Sequence, residues 1–162
     1  METVNITINN IPLEVPKSTT ILQAAKMINI EIPTLCHMKL EDFCIENKPA
    51  GCRICMVDVK GRRNLVPSCV TECTEGMVIE TSNPRIINAR RTVLELILSD
   101  HPFECLICPK NGKCDLQSLA QELGVREIRY TGEQSTYRMD TSQAIIRNPD
   151  KCIMCRRCEL MC

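Results

Sequence analysis

The sequence predicts an α+β chain: a small sheet with a helix packed on one face, then two shorter segments built around cysteine. Three observations lead there. Residues 3–15 alternate in hydrophobicity at strand period around a pair of asparagines. A helical pattern follows directly, the order in which small α+β sheets begin. Thirteen of the 162 residues are cysteine, eleven of them in three constellations, whereas the only aromatic side chains are Phe43, Phe103, Tyr130 and Tyr137. So few rings make a thin core, for which bound metal compensates by contributing folding free energy.

Val4, Ile6 and Ile8 face one way and Thr3, Asn5 and Thr7 the other. Asn9-Asn10 tolerates the positive φ of a tight hairpin, and Ile11, Leu13 and Val15 resume the alternation up to Pro16. Ser18-Thr19-Thr20 offers an N-cap for a helix carrying Ile21, Leu22, Ala24, Ala25 and Ile28. Met56–Val59 reads as a strand, Lys60-Gly61 as a turn, and Met77–Glu80 as the last strand. Asn83-Pro84 starts a second helix, whose apolar face is expected to be Ile86, Ala89, Val93, Leu96 and Ile97. Asp115 is the expected cap of a third helix, Leu116 to Leu123, closed by Gly124. Glu127–Tyr130 is a candidate short strand, and Thr131 to Gln143 reads as linker.

The N-terminus has no basic region followed by an apolar run, and Val93–Leu98 is too short to span a membrane and contains Glu95. A cytoplasmic, reduced setting follows, in which close Cys spacings mean metal more often than disulfides. Zero formal net charge argues against a nucleic-acid partner. The six glycines are too dispersed for a nucleotide fingerprint.

The first constellation is Cys36, Cys52, Cys55 and Cys69, expected in loops around the sheet. Its order of one thiol, a close pair, then one matches the plant-type 2Fe–2S pattern in outline. The first gap holds fifteen residues where that pattern has about four. Cys44, inside the gap, and Cys73, beyond Cys69, are read as bystanders. The second constellation is His101-x3-Cys105-x2-Cys108-x5-Cys114, where Gly112 lets the backbone turn back. Such a set suits zinc or an iron–sulfur cluster. The third, Cys152-x2-Cys155-x2-Cys158-x3-Cys162, is the bacterial ferredoxin run. Lys110, Lys113, Lys151, Arg156 and Arg157 lie among these cysteines, either as a solvated face or as charge balance for anionic centres.

With the three sets placed, the chain resembles the N-terminal electron-transfer half of iron-only (FeFe) hydrogenase large subunits. The cluster-bearing subunits of NADH dehydrogenases and NAD-linked formate dehydrogenases share its first two parts. The residues that carry the resemblance are Pro33-Thr-Leu-Cys36, Gly51-Cys-Arg-Ile-Cys-Met-Val-Asp-Val59, Ser68-Cys-Val70, Glu75-Gly-Met77, the block from Ala89 to His101, and Cys114-Asp-Leu-Gln117. It implies a 2Fe–2S β-grasp domain over 1–80, a helical His/Cys 4Fe–4S segment over 81–125, a linker over 126–147 and the start of a 4Fe–4S ferredoxin domain over 148–162. It implies that Cys36, Cys52, Cys55 and Cys69 bind 2Fe–2S, and that His101, Cys105, Cys108 and Cys114 bind 4Fe–4S. Cys152, Cys155 and Cys158 would hold another 4Fe–4S, with Cys162 serving a partner cluster.

The implied role is an electron relay between an NAD(P)H/flavin partner subunit and a catalytic centre or ferredoxin, with no catalytic site, flavin or nucleotide on this chain. The implied partners are a flavin- and NAD(P)H-binding subunit, other iron–sulfur subunits and soluble ferredoxin. The hydrogenase catalytic motifs are not in these residues, which reads as part of a larger subunit. The alternatives are an electron-transfer subunit of an NADH dehydrogenase, formate dehydrogenase or transhydrogenase complex, and, in another class, a zinc-stapled structural protein.

Overall fold

The structure, a computed structural model, describes residues 2–38, 50–132, 140–144 and 146–161. Cys44 and Cys162 lie outside them. Two compact units form: residues 1–90 with 156–162, and residues 91–155.

In the first unit β1 (Thr3–Ile8) and β2 (Ile11–Pro16) make the expected hairpin, with Asn9 and Asn10 at φ 49° and 69°. Both φ values are positive, as the two-residue turn between twisted strands requires. Helix α1 (Ile21–Met27) starts in a capping box: the Gln23 N–H donates to Thr20 Oγ1 at 3.3 Å, and Gln23 Oε1 accepts from the Thr20 N–H at 3.0 Å. Strands β3 (Met56–Val59), β4 (Val66–Pro67) and β5 (Met77–Glu80) complete a five-stranded sheet of order β2-β1-β5-β3-β4.

β5 runs parallel to β1 and antiparallel to β3, so the last strand of this sheet lies at its centre. Two local devices seat it. Glu75 accepts from the Asn5 backbone and side-chain amides at 2.8 and 3.2 Å, and the Gly76 N–H donates to the Asn5 carbonyl at 2.9 Å. At the other end the Asn9 side chain exchanges hydrogen bonds of 2.7 and 2.9 Å with Thr81. The core between sheet and α1 is aliphatic: Val4, Ile6, Ile8, Val15, Ile21, Val57 and Ile79, closed by Cys55, Cys69 and Cys73. Among the described residues no aromatic side chain is buried.

Helix α2 (Pro84–Ser99) is capped by Asn83, whose Oδ1 accepts from the Ile86 N–H at 2.9 Å. Its buried face differs from the expected one. Ile86, Arg90, Leu94 and Glu95 are buried, and Leu96 is half exposed. The apolar periodicity missed two charged residues that find partners. Arg90 donates to the carbonyls of Met56 and Thr81 at 2.7 and 3.2 Å. Glu95 takes both branches of Arg129 at 2.8 and 2.9 Å.

The division between the units falls inside α2. The second unit continues through a 3₁₀ turn at Cys105–Ile107 and helix α3 (Asp115–Glu122). Cys114, not Asp115, takes the N-cap conformation of α3, and Gly124 follows its end at φ 64°. Glu127–Tyr130 forms no strand. Within the expected linker, β6 (Asp140–Thr141) and β7 (Ile146–Arg147) pair as a two-residue ribbon, too short to show alternation. A 3₁₀ turn at Pro149–Lys151 follows, and α4 (Arg157–Met161) returns the chain to the first unit.

Candidate metal centres

All four thiols of the first set are buried: Cys36, Cys52, Cys55 and Cys69. Leu35 and Ile54, both wholly buried, pin the loops that carry them. Cys55 Sγ and Cys69 Sγ lie 3.3 Å apart. Within each neighbouring pair one thiol keeps its proton for the other. The Cys52 thiol holds Cys36 well below the usual thiol range, helped by the backbone N–H groups of Cys52, Gly51 and Ala50. The Cys69 thiol does the same for Cys55, helped by the Cys69 backbone N–H. Cys52 and Cys69 are correspondingly pushed up, first by those partners and then by burial. The Ala50 N–H serves both pairs, at Cys36 in one and at Cys69 in the other.

The donors come from an unusual backbone. Ala50 and Arg53, either side of Gly51-Cys52, have φ of 65° and 61°. Left-handed residues in a turn point backbone N–H groups into an anion-binding concavity, and here those of Ala50, Gly51 and Cys52 meet Cys36. Such strain persists where the surroundings over-determine it, and here it serves sulfur. Gly51 makes room for the Arg156 side chain: a Cβ there would stand 3.0 Å from Arg156 Cδ. The Arg156 guanidinium is held by Glu159 through two 2.7 Å hydrogen bonds. Buried thiols in a nest of N–H donors fit a 2Fe–2S cluster, whose sulfurs carry the charge that those donors stabilise.

In the second unit, His101, Cys105, Cys108 and Cys114 line one cavity of about 260 Å³, with Leu98, Pro102 and Lys151. α2 ends before Pro102, as the restriction on the residue before proline requires. Cys108 donates its N–H to the Cys105 carbonyl at 3.2 Å. Gly112, at φ 74°, turns the chain back towards Cys114. Gln117 on α3 braces that turn: its Oε1 accepts from the Gly112 N–H at 2.9 Å, and its Nε2 donates to Asn111 Oδ1 at 3.1 Å. His101 Nδ1 is buried without a hydrogen-bond partner. Burial, reinforced by Lys151, holds the imidazole below its ordinary pKa, against a hydrogen bond to the Cys152 backbone. An imidazole with an unpartnered buried nitrogen beside three thiols fits a metal ligand, the backbone bond supplying the usual outer support.

Of the third set, Cys152 and Cys155 lie in the second unit and Cys158 on α4 of the first. Met154 and Arg156, either side of Cys155, are left-handed at φ 52° and 57°. Cys73 is buried in the aliphatic core, where burial alone pushes its thiol up. Sequence reasoning passed over Ala50 and Gln117 as working parts, because no spacing rule marks a backbone amide or a brace. Among the described residues no three His, Cys, Asp or Glu side chains close around a single metal ion.

Fold and thiol sets together define an iron–sulfur protein. Residues 1–84 match the 2Fe-2S iron-sulfur cluster binding domain family, and the chain belongs to it. Residues 90–129 match the NADH-ubiquinone oxidoreductase-G iron-sulfur binding region, so both cluster types, 2Fe–2S and 4Fe–4S, have their domains here. These matches overturn the zinc-staple alternative.

The chain is 57% identical over 163 residues to the HndD subunit of the NADP-reducing hydrogenase of Solidesulfovibrio fructosivorans, covering 100% of this chain and 28% of that protein. It is 37% identical over 162 residues to the second G-type subunit of the NADH-quinone oxidoreductase of Rhizobium meliloti (strain 1021), covering 98% of this chain and 18% of that one. A crystal structure of an NAD+-reducing NiFe hydrogenase in the H2-reduced state superposes with a TM-score of 0.83 at 26% identity, over 97% of this chain and 64% of that one. The chain thus spans less than a third of the curated relatives it matches. Among the described residues no helix is long and apolar enough to cross a membrane.

Proposed function

We propose that this chain is the electron-relay segment of an NAD(P)-linked hydrogenase subunit, of the iron-only (FeFe) class. The observation that carries the relay reading is that Cys36, Cys52, Cys55 and Cys69 are all buried, with the backbone N–H groups of Ala50, Gly51 and Cys52 turned on Cys36. Clusters of these types supply one-electron transfer when bound. The residues do the rest. Cys36, Cys52, Cys55 and Cys69 would hold 2Fe–2S; His101, Cys105, Cys108 and Cys114 would hold 4Fe–4S. Cys152, Cys155 and Cys158 would hold a further 4Fe–4S, and Cys162 a ligand place in a partner cluster. Burial excludes water, and the N–H groups of Ala50, Gly51 and Cys52 stabilise thiolate charge. The working divisions are 1–80, 81–125, 126–147 and 148–162, and the setting is the cytoplasm.

The likeness to HndD supports the hydrogenase reading over a respiratory dehydrogenase. The match of residues 90–129 favours the second reading, a subunit of an NADH dehydrogenase type of complex. On either reading, a flavin- and NAD(P)H-binding subunit, other iron–sulfur subunits and soluble ferredoxin are the partners. Anaerobic purification with iron and acid-labile sulfide analysis tests the relay. One 2Fe–2S and at least one 4Fe–4S are expected by paramagnetic resonance of the reduced protein, and a colourless, zinc-rich preparation sinks the idea. Hydrogen-dependent NAD(P) reduction by the complex isolated with this chain separates the two readings.

A further inference from the structure

Ser68 is wholly buried, and its Oγ has no hydrogen-bond partner among the described residues. Its backbone is fixed on both sides. The Ser68 N–H donates to the Cys55 carbonyl at 3.1 Å, and its carbonyl accepts from the Leu22 N–H at 3.0 Å. Only rotation about the Cα–Cβ bond is left to the hydroxyl. Buried polar side chains are nearly always paired, and an unpaired one calls for an explanation. The neighbours here are sulfur: Cys69 follows in sequence, and Cys55, whose carbonyl the Ser68 N–H meets, has its Sγ 3.3 Å from that of Cys69.

We propose that Ser68 is a positioning residue that sets the reduction potential of the 2Fe–2S site, its hydroxyl donating a hydrogen bond to sulfur there. The inference rests on the assignment of Cys36, Cys52, Cys55 and Cys69 to that site. The direction of the bond is fixed by chemistry: thiolate and sulfide accept, so the hydroxyl donates. A donor to sulfur draws off negative charge. It therefore favours the form carrying the extra electron and raises the potential. Ser68 would add a side-chain donor on the Cys55–Cys69 side, whereas the N–H groups of Ala50, Gly51 and Cys52 at Cys36 are backbone donors that no substitution of a side chain removes.

The test is a redox titration, followed by paramagnetic resonance, of the full chain with its clusters. Ser68→Ala is expected to keep the 2Fe–2S signal at a lower midpoint potential. Ser68→Thr should return the potential towards wild type, and the 4Fe–4S potentials should move in neither variant. An unchanged 2Fe–2S potential in Ser68→Ala overturns the inference. Ser68→Gly stands in if the alanine variant does not assemble. Should Ala and Gly both fail to hold the cluster while Thr holds it, the site needs the hydroxyl as a donor, as proposed. If Thr fails with them, the role of Ser68 is steric and the inference falls. Absence of a 2Fe–2S signal in the wild-type chain is a different outcome, which overturns the ligand assignment itself.

Discussion

At the scale of single residues, the histidine and cysteine questions left by the sequence have physical answers to test. His101 carries a buried, unpartnered nitrogen in a cavity shared with three thiols, and burial lowers its pKa. A neutral ligand replaced by thiolate adds negative charge and stabilises the oxidised state. His101→Cys should therefore keep a 4Fe–4S signal while lowering its midpoint potential, by on the order of 100 mV if the His-for-Cys contrast of iron–sulfur proteins holds. His101→Ala should make that cluster labile. Unchanged signals and potentials in both variants would remove His101 from the ligand set.

Cys73 is the converse case. It is buried against aliphatic side chains, with its backbone N–H on the Thr19 carbonyl at 2.9 Å. Cys73→Ser should leave the 2Fe–2S signal intact and cost about 1–3 kcal/mol by stranding a hydroxyl in an apolar core. Serine at Cys36, Cys52, Cys55 or Cys69 should abolish or distort the signal. A lost signal in Cys73→Ser would make it a ligand. The cysteine constellations were legible in the sequence as spacings, and the resemblance supplied the cluster expected at each. Ser68 was not legible, since an isolated serine has no pattern until its burial is known.

At the scale of elements, legibility followed the strength of the local code. The Asn9-Asn10 hairpin, the Thr20 capping box and the Asn83-Pro84 helix start each have chemistry confined to a few residues, and each formed where expected. The buried face of α2 was misread because Arg90 and Glu95 are made soluble in the interior by partners 34 residues away in each case, Met56 and Arg129. No window on the helix itself contains that information. The same holds for Gly132, which looked like one dispersed glycine among six. A Cβ there would collide with the Ser99 carbonyl oxygen, a backbone atom that no rotamer change moves. Gly132→Ala should destabilise the second unit by about 1–3 kcal/mol or more, as overpacking does. A lowered urea midpoint checks it, and an unchanged midpoint would mean that the two strands of chain do not approach so closely. Thr20→Ala, which removes one side of the α1 cap, should cost about 1 kcal/mol by the same measurement.

At the scale of the whole molecule, a core of isoleucine, leucine and valine without a buried ring among the described residues leaves much of the stability to ligation. Chelation of iron should lower the melting temperature by roughly 10 °C or more, since each kcal/mol is worth about 2–4 °C in a chain of this size. An iron-free chain that melts with the loaded one would contradict that. The sheet order adds a consequence in time. β1–β2 and β3–β4 are local pairs, whereas β5, which joins them, is the last strand of the sheet to leave the ribosome. Cys36, Cys52, Cys55 and Cys69 all precede it. During synthesis the four thiols therefore emerge on a chain whose sheet is still in two pieces. Whatever delivers iron and sulfide meets open loops first and a closed protein afterwards, so a nascent chain stalled before Met77 should accept a cluster without being able to keep it.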